Sequence, residues 1–369
     1  MTNTTPKKIL IAPLDWGLGH TARCVPIISY ILSQGHIPVV AGNAAQRTFI
    51  EETFGDIDFI HLDGYNIVYT KANKWAQAGL FSQLPQIKKT IAAENKWLAD
   101  VCQARQIDGI ISDNRYGLYH SKIPSVIITH QLQVQTGFGT IANNIVRSIH
   151  HKYLNKFWSV WVPDVQDEQH NLAGRLSHSL VKPVTTQYIG LLSRFAGKRY
   201  PATSKKYLLV LLSGPEPARS EFEALLLHQL AGYTEPVVFV AGSENTNKPA
   251  NLPANITWYN RLPHQQLGPL LAGAATVICR SGYSTLMDLV ALNKRAILVP
   301  TPGQTEQEYI AKRMMQEKAF YSVKQSKFDL KNAINELDAQ QQKPLPADTW
   351  HSRYQPILDT WLASLQPMR

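Results

Sequence analysis

Short apolar runs bounded by Gly, Pro, Asn and Asp recur along the first half of the chain. They are KILIAPLD from Lys8, IPVVAGN from Ile37, DFIHLDG from Asp58, DGIISDN from Asp108, SVIITHQ from Ser125, SVWVPD from Ser159 and QYIGLL from Gln187. Their length and β-branched content mark strands, and helical patterns fill most of the gaps. After the polar, basic LLSRFAGKRYPATSKK the series restarts as YLLVLLSG from Tyr207, PVVFVAG from Pro236, ITWYN from Ile256, TVICRSG from Thr276 and AILVPTP from Ala296. Strands alternating with helices predict parallel sheets with helices on both faces. The chain therefore reads as α/β, two doubly wound Rossmann-like domains over 1–194 and 204–345 with a linker near 193–205. A last helix within 349–369 is expected despite Pro356, packing back on the first domain. Sheets of this kind bind ligands at the carboxyl ends of their strands, so the loops after the strands are the site candidates.

Composition narrows the classes. With 369 residues and 44% apolar, the chain can bury two cores. No segment approaches the roughly 20 apolar residues of a membrane span. The polar start, MTNTTPKKIL, does not read as a signal peptide, and Cys24, Cys102 and Cys279 are scattered. Both features point to a reduced, cytoplasmic protein without a cysteine-based zinc site. The formal charge of +10 suits nucleic acid, an anionic membrane or phosphorylated small molecules, but no nucleic-acid motif is present. From Asn114 to Pro163 there is no Asp or Glu, and Arg147, Lys152 and Lys156 lie among Tyr153, Phe157, Trp158 and Trp161. Such a mixture suits the inner face of a cell membrane as a peripheral docking surface, or equally a packed helix with an ordinary polar face.

Three loops carry candidate chemistry. PLDWGLGHTARC follows the first strand, and Gly17, Gly19 and Ala22 fit the G-x-G-x-x-A of a dinucleotide turn. The acidic residue expected about 20 positions on is missing, because Asn43 stands at the end of the second strand. His20, at a helix N-terminus, is held neutral by the helix dipole and is a candidate general base, or else a structural histidine. In VICRSGYSTLMDLV, a strand runs through Arg280, Ser281 and Gly282 into a helix. There backbone amides with Ser281 and Ser284 can hold a phosphate, and Asp288 can hold ribose hydroxyls. The later PTPGQTEQEY offers Gln304, Glu306 and Gln307 to a hydroxyl-rich ligand. LLSGPEPARSEF adds Ser213, Gly214 and Arg219. Capping turns would explain each of these loops as well. Asp113 and His130 end two successive strands of the first domain and are second candidates for binding an acceptor or assisting His20.

These loops together resemble the GT-B glycosyltransferases of the family 28 type, which add N-acetylglucosamine to lipid I. Cys279-Arg280-Ser281-Gly282 with Asp288, Pro300 with Gln307, and Gly17-Gly19-His20 carry the likeness. The resemblance implies two domains facing across a cleft, an acceptor side in the first and a nucleotide-sugar side in the second. It puts Arg280, Ser281, Gly282, Tyr283 and Ser284 by the diphosphate, Asp288 by the ribose and Gln307 by the sugar. Leu262 and His264, in RLPHQQL, fall by the base, although that stretch departs from the family pattern. Gly17-x-Gly19-His20-x-x-Arg23 is also similar to nucleotide-sugar hydrolases of the pseudaminic acid pathway. The implied function is inverting, metal-independent transfer from a UDP-type sugar to a glycan or lipid-linked hydroxyl. The nucleotide sugar serves as co-substrate, with no other cofactor and no metal. A hydrolase or epimerase on the same fold, or a non-catalytic nucleotide-sugar binder, stays open beside it.

Overall fold

In the computed structural model, residues 5–65, 84–136, 138–201, 206–243, 248–343 and 353–366 are described. The chain divides into two compact units, with Arg194 closing the main run of the first and Phe195 opening that of the second. The described C-terminal residues 353–366 belong to the first unit.

Among the described residues the first unit holds seven parallel strands: β1 (Lys8–Pro13), β2 (Ile37–Gly42), β3 (Asp58–His61), β4 (Gly109–Asp113), β5 (Ser125–Ile128), β6 (Ser159–Val162) and β7 (Thr186–Tyr188). They are ordered β3-β2-β1-β4-β5-β6-β7. Ile9, Leu10 and Ile11 of β1 pair with Gly109, Ile110 and Ile111 of β4, and every one of these isoleucines and leucines is fully buried. Their uniform apolarity follows from cover on both faces. The helices are α1 (Leu18–Ser33), α2 (Ala44–Phe54), α3 (Leu84–Arg105) and α4 (Thr140–Leu154). The C-terminal helix of the chain, Tyr354–Ser364, also belongs to this unit; its Pro356 sits in the first turn, where no intrahelical N–H is needed. This helix is fastened by Trp361, edge-on to Trp161 at 5.6 Å, and by the Tyr30 hydroxyl donating to Asp359 at 2.7 Å. A β-carbon on Gly109 would lie 2.7 Å from the Trp361 ring, so the ring packs directly on the strand backbone.

The second unit repeats the arrangement with β8 (Leu208–Leu211), β9 (Val237–Val240), β10 (Ile256–Tyr259), β11 (Thr276–Cys279), β12 (Ala296–Leu298) and β13 (Tyr321–Ser322). They are ordered β10-β9-β8-β11-β12-β13, all parallel. Its helices are α5 (Ala218–Leu230), α6 (His264–Gly273), α7 (Tyr283–Ala291), α8 (Thr305–Gln316) and α9 (Leu330–Ala339), which makes the C-terminal helix α10. The two-residue β13 has no counterpart among the strands expected from the sequence; it is too short to leave a periodic signal. In each sheet the order reverses between the first and fourth strands, and the crevice beyond that reversal is where such folds take ligands.

Trp361→Ala should remove most of the fastening of α10. The expected loss is about 3 kcal/mol, as for other buried aromatic truncations, read as a lower urea midpoint for the first unit.

Candidate active site

The first reversal lies between β1 and β4. Gly17, at φ +81°, turns the chain off β1 into α1, a conformation that an L side chain rarely adopts. Gly19 and His20 fall in the first turn of α1, which starts without a side-chain cap. The loop is braced from α2. The Gln46 side-chain amide donates to the Pro13 and Leu14 carbonyls and to the Thr21 hydroxyl, at 3.2, 3.2 and 3.1 Å. Asn43, standing where a dinucleotide fold has its ribose acid, forms a reciprocal capping box with Gln46.

His20, Arg23, Asp113 and His130 come together here. Arg23 Nε donates to Asp113 Oδ2 at 2.7 Å, and its NH2 group donates to Oδ1. His20 Nδ1 is 3.3 Å from Asp113 Oδ1, and Arg23 NH1 is 3.4 Å from His130 Nδ1. The Cys24 thiol also points to the carboxylate, at 3.7 Å. Asp113 is fully buried and Arg23 nearly so, while the His20 side chain keeps 17% of its exposure. Burial alone would raise the Asp113 pKa, but the charges of Arg23 and His20 and their hydrogen bonds win and hold it well below the ordinary carboxylate range. Burial lowers the His20 pKa, Arg23 and His130 lower it further, and Asp113 offsets only part of this. His20 is therefore a neutral imidazole at pH 7 with Nδ1 turned to a carboxylate, the arrangement of an oriented base.

A second buried ion pair supports the loop after β4. Arg115 Nε donates to Glu94 Oε1 at 2.7 Å, while Tyr65 and the Gly117 amide donate to Glu94 Oε2 at 2.7 and 3.0 Å. Nothing in the sequence signals this clamp, because Glu94 lies in a polar helical stretch with no motif around it. Next to it, Tyr116 meets His150 Nε2 at 3.0 Å, and the buried His150 Nδ1 has no hydrogen-bond partner among the described residues.

The basic aromatic stretch divides. Phe157 and Trp161 are core residues, Lys152 and Lys156 are exposed, and Trp158 is half exposed. The apolar residues turned outward are instead Ile141, Ile145 and Ile149, one per turn on α4, with Phe138 just before it. Among the described residues no helix is long and apolar enough to cross a membrane.

The second reversal lies between β8 and β11. Ser213 and Gly214 follow β8, Leu262 and His264 follow β10, Arg280 to Ser284 and Asp288 follow β11, and Gln304, Glu306 and Gln307 follow β12. All lie beyond the carboxyl ends of parallel strands, on one edge of the sheet. Hydrogen bonds join some of them directly. Arg280 donates to the carbonyls of Val299, Pro300 and Ala218 at 3.1, 3.3 and 2.7 Å, and its guanidinium lies 4.3 Å from the centre of the Phe222 ring. Ser281 donates to the Gln307 carbonyl at 2.9 Å. The Gln307 side chain accepts from the Thr301 amide at 3.0 Å and donates to Gln304 at 2.6 Å, so it closes the β12 loop on itself. Arg280 is nearly buried, burial pulls its pKa down to about 10, and no carboxylate ion-pairs with it among the described residues. Tyr283 starts α7, whose N-terminus has no side-chain cap. Arg219 is different: it ion-pairs with Glu216 and Glu223 and donates to the Ala241 carbonyl. Its charge is balanced within its own helix region, so Arg219 braces α5 against β9, a different use from the free phosphate charge expected from the sequence.

Residues 221–354 match the glycosyltransferase family 28 C-terminal domain. Over 92 residues the chain is 39% identical to the UDP-N-acetylglucosamine–N-acetylmuramyl-(pentapeptide) pyrophosphoryl-undecaprenol N-acetylglucosamine transferase of Desulforudis audaxviator (strain MP104C), covering 24% of this chain and 23% of that protein. The chain thus aligns with about a quarter of the length of that curated relative. Across nearly the whole chain the fold matches the glycotransferase of kitacinnamycin, with TM-score 0.67, 14% identity, and 98% and 100% of the two chains covered. It also matches the spinosyn rhamnosyltransferase SpnG, with TM-score 0.68, 14% identity, and 96% and 100% covered. SpnG complexed with thymidine diphosphate gives TM-score 0.65 at 12% identity, with 97% and 100% covered. The fold is GT-B, two Rossmann-like domains, and the match to the glycosyltransferase family 28 C-terminal domain falls mostly in the second unit.

Buried His150 of the first unit is expected to make the protein acid-sensitive. Burial, with His151 nearby, lowers the His150 pKa to about 3. The unfolded value is about 6.5, so between these two pH values the unfolded chain binds the extra proton and stability falls as pH falls. His20, also lowered, acts in the same direction. His150→Phe should flatten the slope of stability against pH between about 6.5 and 3, measured by urea midpoints across that window.

Proposed function

We propose that the chain transfers a sugar from a nucleoside diphosphate sugar, UDP-linked, to a hydroxyl acceptor on a lipid-linked or cell-envelope glycan. The observation that carries this reading is Arg280: a buried cation without a carboxylate partner among the described residues, beside an uncapped helix start, inside the family 28 match. A diphosphate supplies the missing negative charge there, and Arg280 with the α7 amides stabilises the leaving group without a metal. His20 takes the acceptor proton at Nε2. The acceptor oxygen then bonds to the anomeric carbon as the bond to the diphosphate breaks, and direct displacement inverts the centre. The UDP donor and lipid-linked acceptor are suggested by the name of the curated relative. Hydrolysis is the second reading, favoured by the Gly17–Arg23 spacing; there water replaces the acceptor with the same base and leaving group.

A thermal-shift panel in EDTA with UDP, GDP, CDP, UDP-N-acetylglucosamine and NAD tests the donor. Selective stabilisation by UDP and its sugar is expected, and stabilisation by NAD alone would overturn the reading. His20→Ala should keep that shift while turnover, by transfer or hydrolysis, drops at least about 100-fold.

The same reading places the protein in the cytoplasm at the inner face of the membrane. Ile141, Ile145 and Ile149 would enter the lipid boundary while Lys152 and Lys156 meet anionic headgroups. Sedimentation with phosphatidylglycerol vesicles should exceed that with phosphatidylcholine vesicles. Ile145→Asp with Ile149→Asp should abolish the difference.

A further inference from the structure

Arg23 closes the Gly17-x-Gly19-His20-x-x-Arg23 spacing of the acceptor-side loop, yet its guanidinium is buried and three of its nitrogens are engaged inside the protein. We propose that Arg23 is a positioning residue that sets opposite tautomers on His20 and His130, making the first ring a proton acceptor at Nε2 and the second a donor at Nε2. The inference deepens the reading of His20 as the base and rests on it.

The argument is one of donors and acceptors. A guanidinium has five N–H donors and no acceptor. Two of its nitrogens hold both oxygens of Asp113, so the carboxylate is ionised and only accepts. His20 Nδ1, 3.3 Å from Oδ1, must therefore carry the hydrogen, and a neutral ring then has its lone pair on Nε2. The third nitrogen faces His130 Nδ1 at 3.4 Å. Since Arg23 can only donate, His130 Nδ1 carries the lone pair, and in the neutral ring the proton sits on Nε2. One residue thus sorts two chemically identical rings into a base and a donor.

Arg23 also settles how strongly the carboxylate acts on His20. A histidine beside an unpaired buried carboxylate is driven towards imidazolium. The charged and titratable groups around His20 are Asp113 from the end of β4, Arg23 on α1 itself and His130 from the loop after β5. With the Asp113 charge already countered by Arg23, the carboxylate orients the ring without making it hold a second proton. Lysine cannot substitute, because a point charge cannot span both carboxylate oxygens and His130 in one plane.

The test uses the full chain labelled with 15N histidine. Long-range 1H–15N spectra at about pH 8, above the ordinary histidine pKa, report the tautomers, with His20→Gln and His130→Gln assigning the signals. The expected pattern is Nδ1–H on His20 and Nε2–H on His130. Arg23→Gln should raise the His20 pKa by at least about one unit, and Arg23→Lys should mix the His130 tautomers. Nε2–H on His20 or Nδ1–H on His130 in the unaltered protein would overturn the proposal, as would unchanged spectra and titration in both variants. Should Arg23→Gln not fold, the unaltered protein and Arg23→Lys decide alone. No readout depends on sugar transfer, so a failure of the transferase reading shows in turnover while the tautomers stand or fall separately.

Discussion

The buried pair of Arg23 and Asp113 is the constraint around which the first unit's site is arranged. Removing two charges from water costs several kcal/mol per ion, recovered only when geometry is close and the remaining hydrogen-bonding capacity is met. Here the contact is bidentate, and His20 and Cys24 also converge on the two carboxylate oxygens. The pair sits where the strand order reverses, so its partners arrive from different elements: Asp113 from β4, Arg23 and His20 from α1. That position explains why the glycine turn after β1 is braced by Gln46 and the loop after β4 is clamped by Glu94 and Arg115. A displacement of either loop would open the pair and leave a buried charge uncompensated.

Much of the fold was legible because parallel strands buried on both faces are written as plain apolar runs. Twelve of the observed strands coincide with such runs, and the same strand order arises twice because each half repeats the winding. Asp113 and His130 were visible as polar residues directly after apolar strands, positions that parallel topology turns to one edge. What stayed hidden were pairings across distant stretches. Glu94 and Arg115 are separated by 21 residues and belong to no motif, and nothing in the local pattern shows that a carboxylate in a polar helix is buried. Gln46 was equally silent, and its partner Asn43 drew notice only for standing where a dinucleotide fold has its ribose acid, not for the capping box the two form. The basic aromatic stretch stayed open for a different reason: bulky rings are as useful to a core as to an interface, and only packing assigns Phe157 and Trp161 to the former.

Arginine is the residue whose role the sequence separates least, and three of the buried ones beside the two reversals show why. Arg23, Arg219 and Arg280 each follow a strand and each looks like a charge offered to a ligand. Arg23 is matched by Asp113, and Arg219 by Glu216 and Glu223. Arg280 instead donates from two nitrogens to three carbonyls and lies against an aromatic face, groups that hold the cation without cancelling its charge. The surroundings of a buried arginine, rather than its presence, therefore decide what it can do. Compensated, it can fix geometry at neutral net charge, as Arg23 does around Asp113 and His20. Without a carboxylate in contact, it keeps a positive charge in a nearly buried position, where burial lowers its pKa, the Glu221 charge offsets only part of that, and an anion would relieve it. The two reversals of one repeated topology thus carry opposite electrostatics, one suited to moving a proton and the other to holding negative charge.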